Sequence, residues 1–146
     1  MNAVLNDPVL DSLFAADAAA NGAKAVVVLP SDAEEDGAGS AEREQRLLGI
    51  IRGAGLRMVG PHSWGVLNTA EQVSLNTTFT SASVRAGGLA IGSQSGGLGL
   101  LGQAAARQLG VSIFVSVGDR ADVSTNDLLE WCEGDERTAA VMLYVE

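Results

Sequence analysis

Ile91-Gly92-Ser93-Gln94-Ser95-Gly96-Gly97-Leu98-Gly99 passes from an apolar run into a helix-forming one through a small, polar, glycine-rich turn. Gly88 to Gly92 reads as a strand, and Gly96 to Leu109 reads as a helix. Glycines let main-chain N–H groups converge, and the hydroxyls of Ser93 and Ser95 add donors. The helix dipole brings roughly half a positive charge to the same place. Ser93, Gln94, Ser95, Gly96 and Gly97 therefore form a candidate anion site, most naturally for phosphate. No lysine follows the turn, so it is not a nucleotide P-loop, and it does not spell the dinucleotide fingerprint GxGxxG. The same glycines also suit tight packing of a helix on a strand, and composition alone leaves both readings open.

Working outward, strand and helix signals alternate. Ser112 to Val117 reads as a strand. Ser124 with Asp127 resembles a capping box opening a helix through Cys132, with Leu128, Leu129 and Cys132 on one side. Ala139 to Val145 is a last strand. Upstream, Asp7-Pro8 reads as an N-cap followed by a first-turn proline, Leu10, Leu13 and Phe14 recur at helical spacing, and Gly22 suits a left-handed helix end. Ala25 to Leu29 is a β-branched run without polar alternation, as in a strand buried on both faces. Ser40 can cap a helix over residues 41–54 whose apolar side is Leu47, Leu48, Ile50 and Ile51, and Gly55 stops it. Leu56 to Val59 is a short strand entering Gly60-Pro61-His62-Ser63-Trp64-Gly65. Asn68 to Arg85 has no clear period and reads as a connection with short extended pieces. This order predicts an α/β protein with a parallel sheet, strands falling near 25–29, 56–59, 88–92, 112–117 and 139–145, and right-handed crossovers.

The chain of 146 residues has 9 basic and 18 acidic side chains and a net charge of −9. That balance excludes a reader of the nucleic-acid backbone and a polybasic membrane anchor, both of which need a basic face. The longest apolar run, Ala139 to Val145, is far short of the ~20 residues that span a bilayer. The N-terminus has no secretory pattern. A single cysteine, Cys132, makes neither an internal disulfide nor a thiolate metal cage, and no metal site is expected. Cys132 reads as a small buried hydrophobe, Trp131 as packing, and Glu34, Glu35 and Asp36 as an acidic surface loop.

Five segments, in order, resemble the NDP-forming acyl-CoA synthetases, relatives of the succinyl-CoA synthetase alpha chain. Gly60-Pro61-His62-Ser63-Trp64-Gly65-Val66-Leu67-Asn68-Thr69 is similar to their GPNCLG-x-x-NT, and Ile91 to Gly99 to their ISQSGALG turn. Ser116 to Val123 is similar to S-x-G-N-x-A-D-V. Asp127-Leu128-Leu129-Glu130 matches D-L-L-E, and Leu143-Tyr144-Val145-Glu146 matches L-Y-x-E. The resemblance covers residues 22–146.

The resemblance implies a division: 1–68 as the end of a Rossmann-like CoA-binding domain, 69–86 as a connection, and 87–146 as a shortened flavodoxin-like CoA-ligase domain. It implies that Ser93 to Gly97 cap the helix receiving phosphate, and that Gly60, Pro61, His62 and Ser63 lie near CoA. Glu146 would steady a phosphohistidine lying outside this chain. Gly118, Asp119 and Asp122, on a strand-to-helix loop, are second-tier candidates; Asp122 equally suits a loop-orienting role. The departures are His62 where the family has Asn and Ser63 where it has Cys. His62, the only histidine, suits either a perturbing role at the CoA thiol end or a hydrogen bond within its loop.

The implied ligands are CoA or acyl-CoA and phosphate, with ATP or ADP and magnesium in a full-length, bacterial parent that also carries an ATP-grasp domain or subunit and is oligomeric. The composition, single cysteine and lack of a secretory pattern predict a soluble, cytoplasmic protein. Nucleic acid and membrane are not expected partners. Alone, this chain is expected to lack synthetase activity. A second reading is a CoA- or acyl-CoA-sensing regulatory module fused to a GNAT acetyltransferase domain. A third, a free-standing flavodoxin, ranks last because flavin sites favour flanking aromatics and only 4% of residues are aromatic.

Overall fold

The computed structural model describes residues 8–29, 40–80, 83–95 and 97–146. Gly96, Asp7 and the acidic stretch containing Glu34, Glu35 and Asp36 fall outside the described residues, as do the readings placed on them. Among the described residues no helix is long and apolar enough to cross a membrane.

The first part is a small α/β unit. Helix α1 (Pro8–Ala20) ends where Gly22 takes a positive φ of 85°, the left-handed stop read from sequence. Strand β1 (Ala25–Val27) pairs in parallel with β2 (Arg57–Val59), and α2 (Ser40–Gly53) runs between them. Leu47, Leu48 and Ile51 of α2 bury against Ala15, Val26, Leu56 and Met58, while Ile50 packs at the edge. Leu13, read as part of the apolar face of α1, is instead 62% exposed.

The second part is a five-stranded sheet ordered β4-β3-β6-β5-β7. Strands β5 (Ala86–Ser93), β6 (Val111–Ser116) and β7 (Ala140–Tyr144) are mutually parallel, as expected. Two short strands are added to that parallel set: β3 (Val66–Asn68), which the sequence did not predict, and β4 (Leu75–Asn76), one of the short extended pieces expected in the connection over 68–85. Both pair antiparallel, β3 directly on β6. The sheet is therefore mixed, and Val66–Asn68 hydrogen-bonds into the sheet of the second part.

Every residue of β6 is buried, because helices cover both faces. Side chains alternate: Ile91 and Phe114 point to the side of α3 (Gly97–Ala106) and meet Leu101 and Ala104. Ala90, Ile113 and Val115 point to the other side and meet Leu128 and Cys132 of α4 (Thr125–Glu133). Val59 belongs to that second cluster, with Val27 packed on it, so the two sheets share one apolar seam. Helix α3 ends short of Leu109 because Gln108 turns to a positive φ of 55°. On α4, Leu129 and Trp131 are exposed rather than packed.

Candidate functional site

Strands β2, β5, β6 and β7 all deliver their C-terminal ends to one side of the molecule, where open α/β sheets bind ligands. Their pairing aligns a row of residues. Ser93 is in register with Ser116 on one side and with Tyr144 on the other. The hydroxyl of Ser63, in the loop after β2, donates to the carbonyl of Ser116 at 2.6 Å and accepts from the N–H of Gly65 at 3.0 Å. The N–H of Trp64 donates to Oγ of Ser116 at 3.0 Å. The sequence-read loops at 60–65, 94–95, 117–122 and 145–146 are thus brought together.

Their residues do different work. Ser93 is fully buried, and its hydroxyl donates to the carbonyl of Ser95 at 2.7 Å, which shapes the turn from inside. Gln94 spends its N–H on the carbonyl of Tyr144 at 3.0 Å, and its Oε1 accepts from the N–H of Glu146 at 3.1 Å. Gly97 starts α3 so close to the strand that an added Cβ would lie 2.6 Å from Cβ of Ser93 and 3.0 Å from the Phe114 ring. Tight strand–helix packing, one of the two readings the sequence left open, is therefore realised at Gly97. The first N–H groups of α3 have no partner within the helix, and they emerge at the same edge. Glu146 accepts from the Tyr144 hydroxyl at 3.0 Å, which raises the phenol's pKa.

The loop after β2 is clamped to the loop after β6. The Gly60–Pro61 peptide is cis, and Gly118, at φ 57°, packs directly on the Pro61 carbonyl. The N–H of Asp119 donates to that carbonyl at 3.0 Å, and the N–H of Ala121 to the carbonyl of Gly60 at 3.3 Å. His62, at φ 56°, places Nδ1 2.6 Å from Oδ2 of Asp119, both side chains being partly exposed. The histidine thus bonds not within its own loop, as one sequence reading had it, but across to the loop after β6.

Asp122 takes the loop-orienting role. Its side chain is 3% exposed and accepts from Arg52, from Arg57 and from the N–H of Met58 at 2.6 to 3.1 Å. Burial pushes its pKa up, but the bonds from Arg52, Met58 and Arg57 outweigh that and hold it below the usual range. Asp127 completes the capping box with Ser124 and also binds Arg57 at 2.9 Å. Bonds from the Ser124 hydroxyl and N–H, then from Arg57, lower its pKa from 3.8 to about 2. Sequence reading missed Arg52 and Arg57 because their partner lies 65 to 70 residues away.

Two further features lie apart. A shallow cleft of about 520 Å³, lined by Thr69, Glu71, Gly87 and Arg137, sits at the opposite end of the sheet, where β5 begins. Among the described residues, no three or more His, Cys, Asp or Glu side chains are grouped to hold a metal ion.

Comparison with known proteins bears on this edge of the sheet. Residues 86–146 match the family described as succinyl-CoA ligase like flavodoxin domain. The chain is 40% identical over 127 residues to the alpha subunit of acetate–CoA ligase [ADP-forming] I of Pyrococcus furiosus, covering 86% of this chain and 27% of that protein. It is 35% identical over 127 residues to acetate–CoA ligase [ADP-forming] of Methanocaldococcus jannaschii, covering 86% of this chain and 18% of that protein. In structure it is similar to a Ca. Korarchaeum cryptofilum dinucleotide forming acetyl-coenzyme A synthetase 1 in complex with phosphate and ADP. The TM-score is 0.79 at 34% identity, over 93% of this chain and 29% of that one. The chain thus spans less than a third of the length of each of these relatives.

Proposed function

We propose, from the premise that this chain belongs to the NDP-forming acyl-CoA synthetases and that its residues 86–146 form their succinyl-CoA ligase like flavodoxin domain, that it supplies part of the acyl-transfer site of such an enzyme. The whole reaction joins a carboxylic acid to CoA at the expense of a nucleoside triphosphate, through an acyl phosphate and a phosphohistidine carried elsewhere. This chain contributes the phosphate-receiving start of α3 and one wall of the CoA crevice. The observation that carries this is the convergence of the loops after β2, β5, β6 and β7 on one edge, beside the start of α3.

Within that edge, phosphate meets the main-chain N–H groups of Ser95 and Gly97, while buried Ser93 holds the turn and Gln94 holds Glu146 in place. Gly60 to Ser63 face the CoA end, with Gly118 and Asp119 behind them. Glu146 steadies the carrier histidine, and nucleotide and magnesium are handled by an ATP-grasp unit. The division into 1–68, 69–86 and 87–146 is retained as a proposal about ancestral units, with β3 bonding across it. The oligomeric, bacterial parent is carried over from the resemblance, and the cytoplasmic setting from the acidic sequence without a secretory pattern; the relatives named above are archaeal. Their ligase names favour this reading over the acetyltransferase-linked sensor.

The test is a pair of NMR titrations of the 146-residue chain. Inorganic phosphate is expected to shift the amides of Ser95, Gly97 and Leu98 most, with weak affinity because the chain's charge is −9 and no basic residue adjoins the turn. CoA is expected to shift residues 60–65. Shifts confined to the cleft around Thr69 and Arg137 would overturn the assignment.

A further inference from the structure

We infer that His62 and Asp119 form an acid–base dyad whose Nε2 takes the proton of the thiol that is acylated at this site. This rests on the function proposed above. Asp119 Oδ2 lies 2.6 Å from Nδ1, and a carboxylate there selects the tautomer with its proton on Nδ1. The Nε2 lone pair is then the ring's free acceptor, on a side chain that is 36% exposed.

The pair is not needed to join the two loops. Gly118 packed on Pro61, and the bonds from Asp119 N–H to Pro61 and from Ala121 N–H to Gly60, already do that. What the pair adds is a fixed imidazole. It is fixed at a cost, since His62 takes a positive φ of 56° that non-glycine residues rarely adopt, and such strain concentrates at functional sites. The dyad also stands at the strand ends, where Ser63 and Ser116 tie its loop to the row containing Ser93.

The step balances without a further reactant. The thiol S–H bond breaks, its proton passing to Nε2. The sulfur electron pair forms the bond to the acyl carbon of the acyl phosphate. The bond from that carbon to the bridging oxygen breaks, and its pair leaves with phosphate. The imidazolium then returns its proton to the departing phosphate, while Asp119 stabilises the charge in between.

The experiment is a long-range proton–nitrogen correlation spectrum of the imidazole in the 146-residue chain, followed by titration with CoA and with desulfo-CoA. The neutral ring is expected to carry its proton on Nδ1. In Asp119→Asn the new amide donates to Nδ1 and moves the proton to Nε2, a change that loop tethering alone would not produce. CoA is expected to shift the Nε2 resonance strongly, and desulfo-CoA to shift the amides of residues 60–65 while leaving Nε2 nearly still. A native ring protonated on Nε2, or equal Nε2 shifts with both ligands, overturns the dyad and leaves the CoA site standing. No amide shift in residues 60–65 or 117–122 with either ligand removes both proposals.

Discussion

Gly118 and Pro61 are packed main chain to main chain: Gly118, at φ 57°, lies so close to the Pro61 carbonyl that a side chain has no place there. This contact sets how far apart the loops after β2 and β6 can stand, and so where His62 meets Asp119. Gly118→Ala forces a β-carbon into that oxygen and into a left-handed backbone that disfavours it. We expect a loss of about 2–4 kcal/mol, from strain plus displaced backbone. Urea unfolding measures it; a loss below about 0.5 kcal/mol would mean that the loops separate freely.

Asp122 is the electrostatic counterpart of that contact. Its nearly buried carboxylate gathers Arg52, Arg57 and the Met58 N–H. Asp122→Ala strands the Met58 N–H, but the two arginines, more than half exposed, recover water. The cost should therefore sit near 2 kcal/mol, below the 3–5 kcal/mol typical of fully buried pairs. Unfolding at raised salt separates the parts: the charge contribution fades, and the bond to Met58 persists.

How far this was legible in sequence depends on the range of the interaction. The Ser124–Asp127 capping box, the glycine stops at Gly22 and Gly55 and the strand β6 are local, and all appear where the sequence places them. The run at 25–29, by contrast, read as buried on both faces, forms β1 over Ala25–Val27 with only Val26 buried. Strands β3 and β4 are three and two residues long, too short to show a period, and exist because the edge of β6 offers them partners. The site loops were legible through glycines and strand ends. The engagement of Ser93 with Ser95, and of Gln94 with Glu146, was not, because a serine aimed inward and one aimed at a ligand are the same letter.

Acid should weaken the fold through Asp127 and Asp122. Both pKa values are depressed in the folded chain, that of Asp127 to about 2. For a depressed carboxylate, stability is fully present above the unfolded value and is lost as pH falls through the folded one. Unfolding midpoints should thus hold above about pH 4 and fall towards about pH 2. In Asp127→Asn the fall should be shallower. An equal slope in both proteins would show that other carboxylates carry the effect.

Cys132 should be chemically quiet. It is buried between Leu128 and the sheet, and burial, then the nearby Asp135 charge, raises its pKa. A thiol-specific reagent at neutral pH should label the native chain at least about tenfold more slowly than the urea-unfolded one. Equal rates would mean that α4 opens readily from the sheet.

Two glycines of α3 should respond to alanine with opposite signs. Gly102 has open space around its α-carbon, so Gly102→Ala gains helix propensity and should stabilise by roughly 0.5–1 kcal/mol. Gly97 has none: the new β-carbon would sit 2.6 Å from Cβ of Ser93, 2.9 Å from its Oγ and 3.0 Å from the Phe114 ring. Ser93 and Phe114 are fully buried and cannot swing away, so the first turn of α3 must lift. Gly97→Ala should cost about 1–3 kcal/mol, the usual range for overpacking. The lift also turns the N–H groups of that turn away from a common point, so phosphate-induced amide shifts should vanish in Gly97→Ala and survive in Gly102→Ala. Retained phosphate shifts in a destabilised Gly97→Ala chain would show that the packing and the anion site are independent, and would move the site off the start of α3.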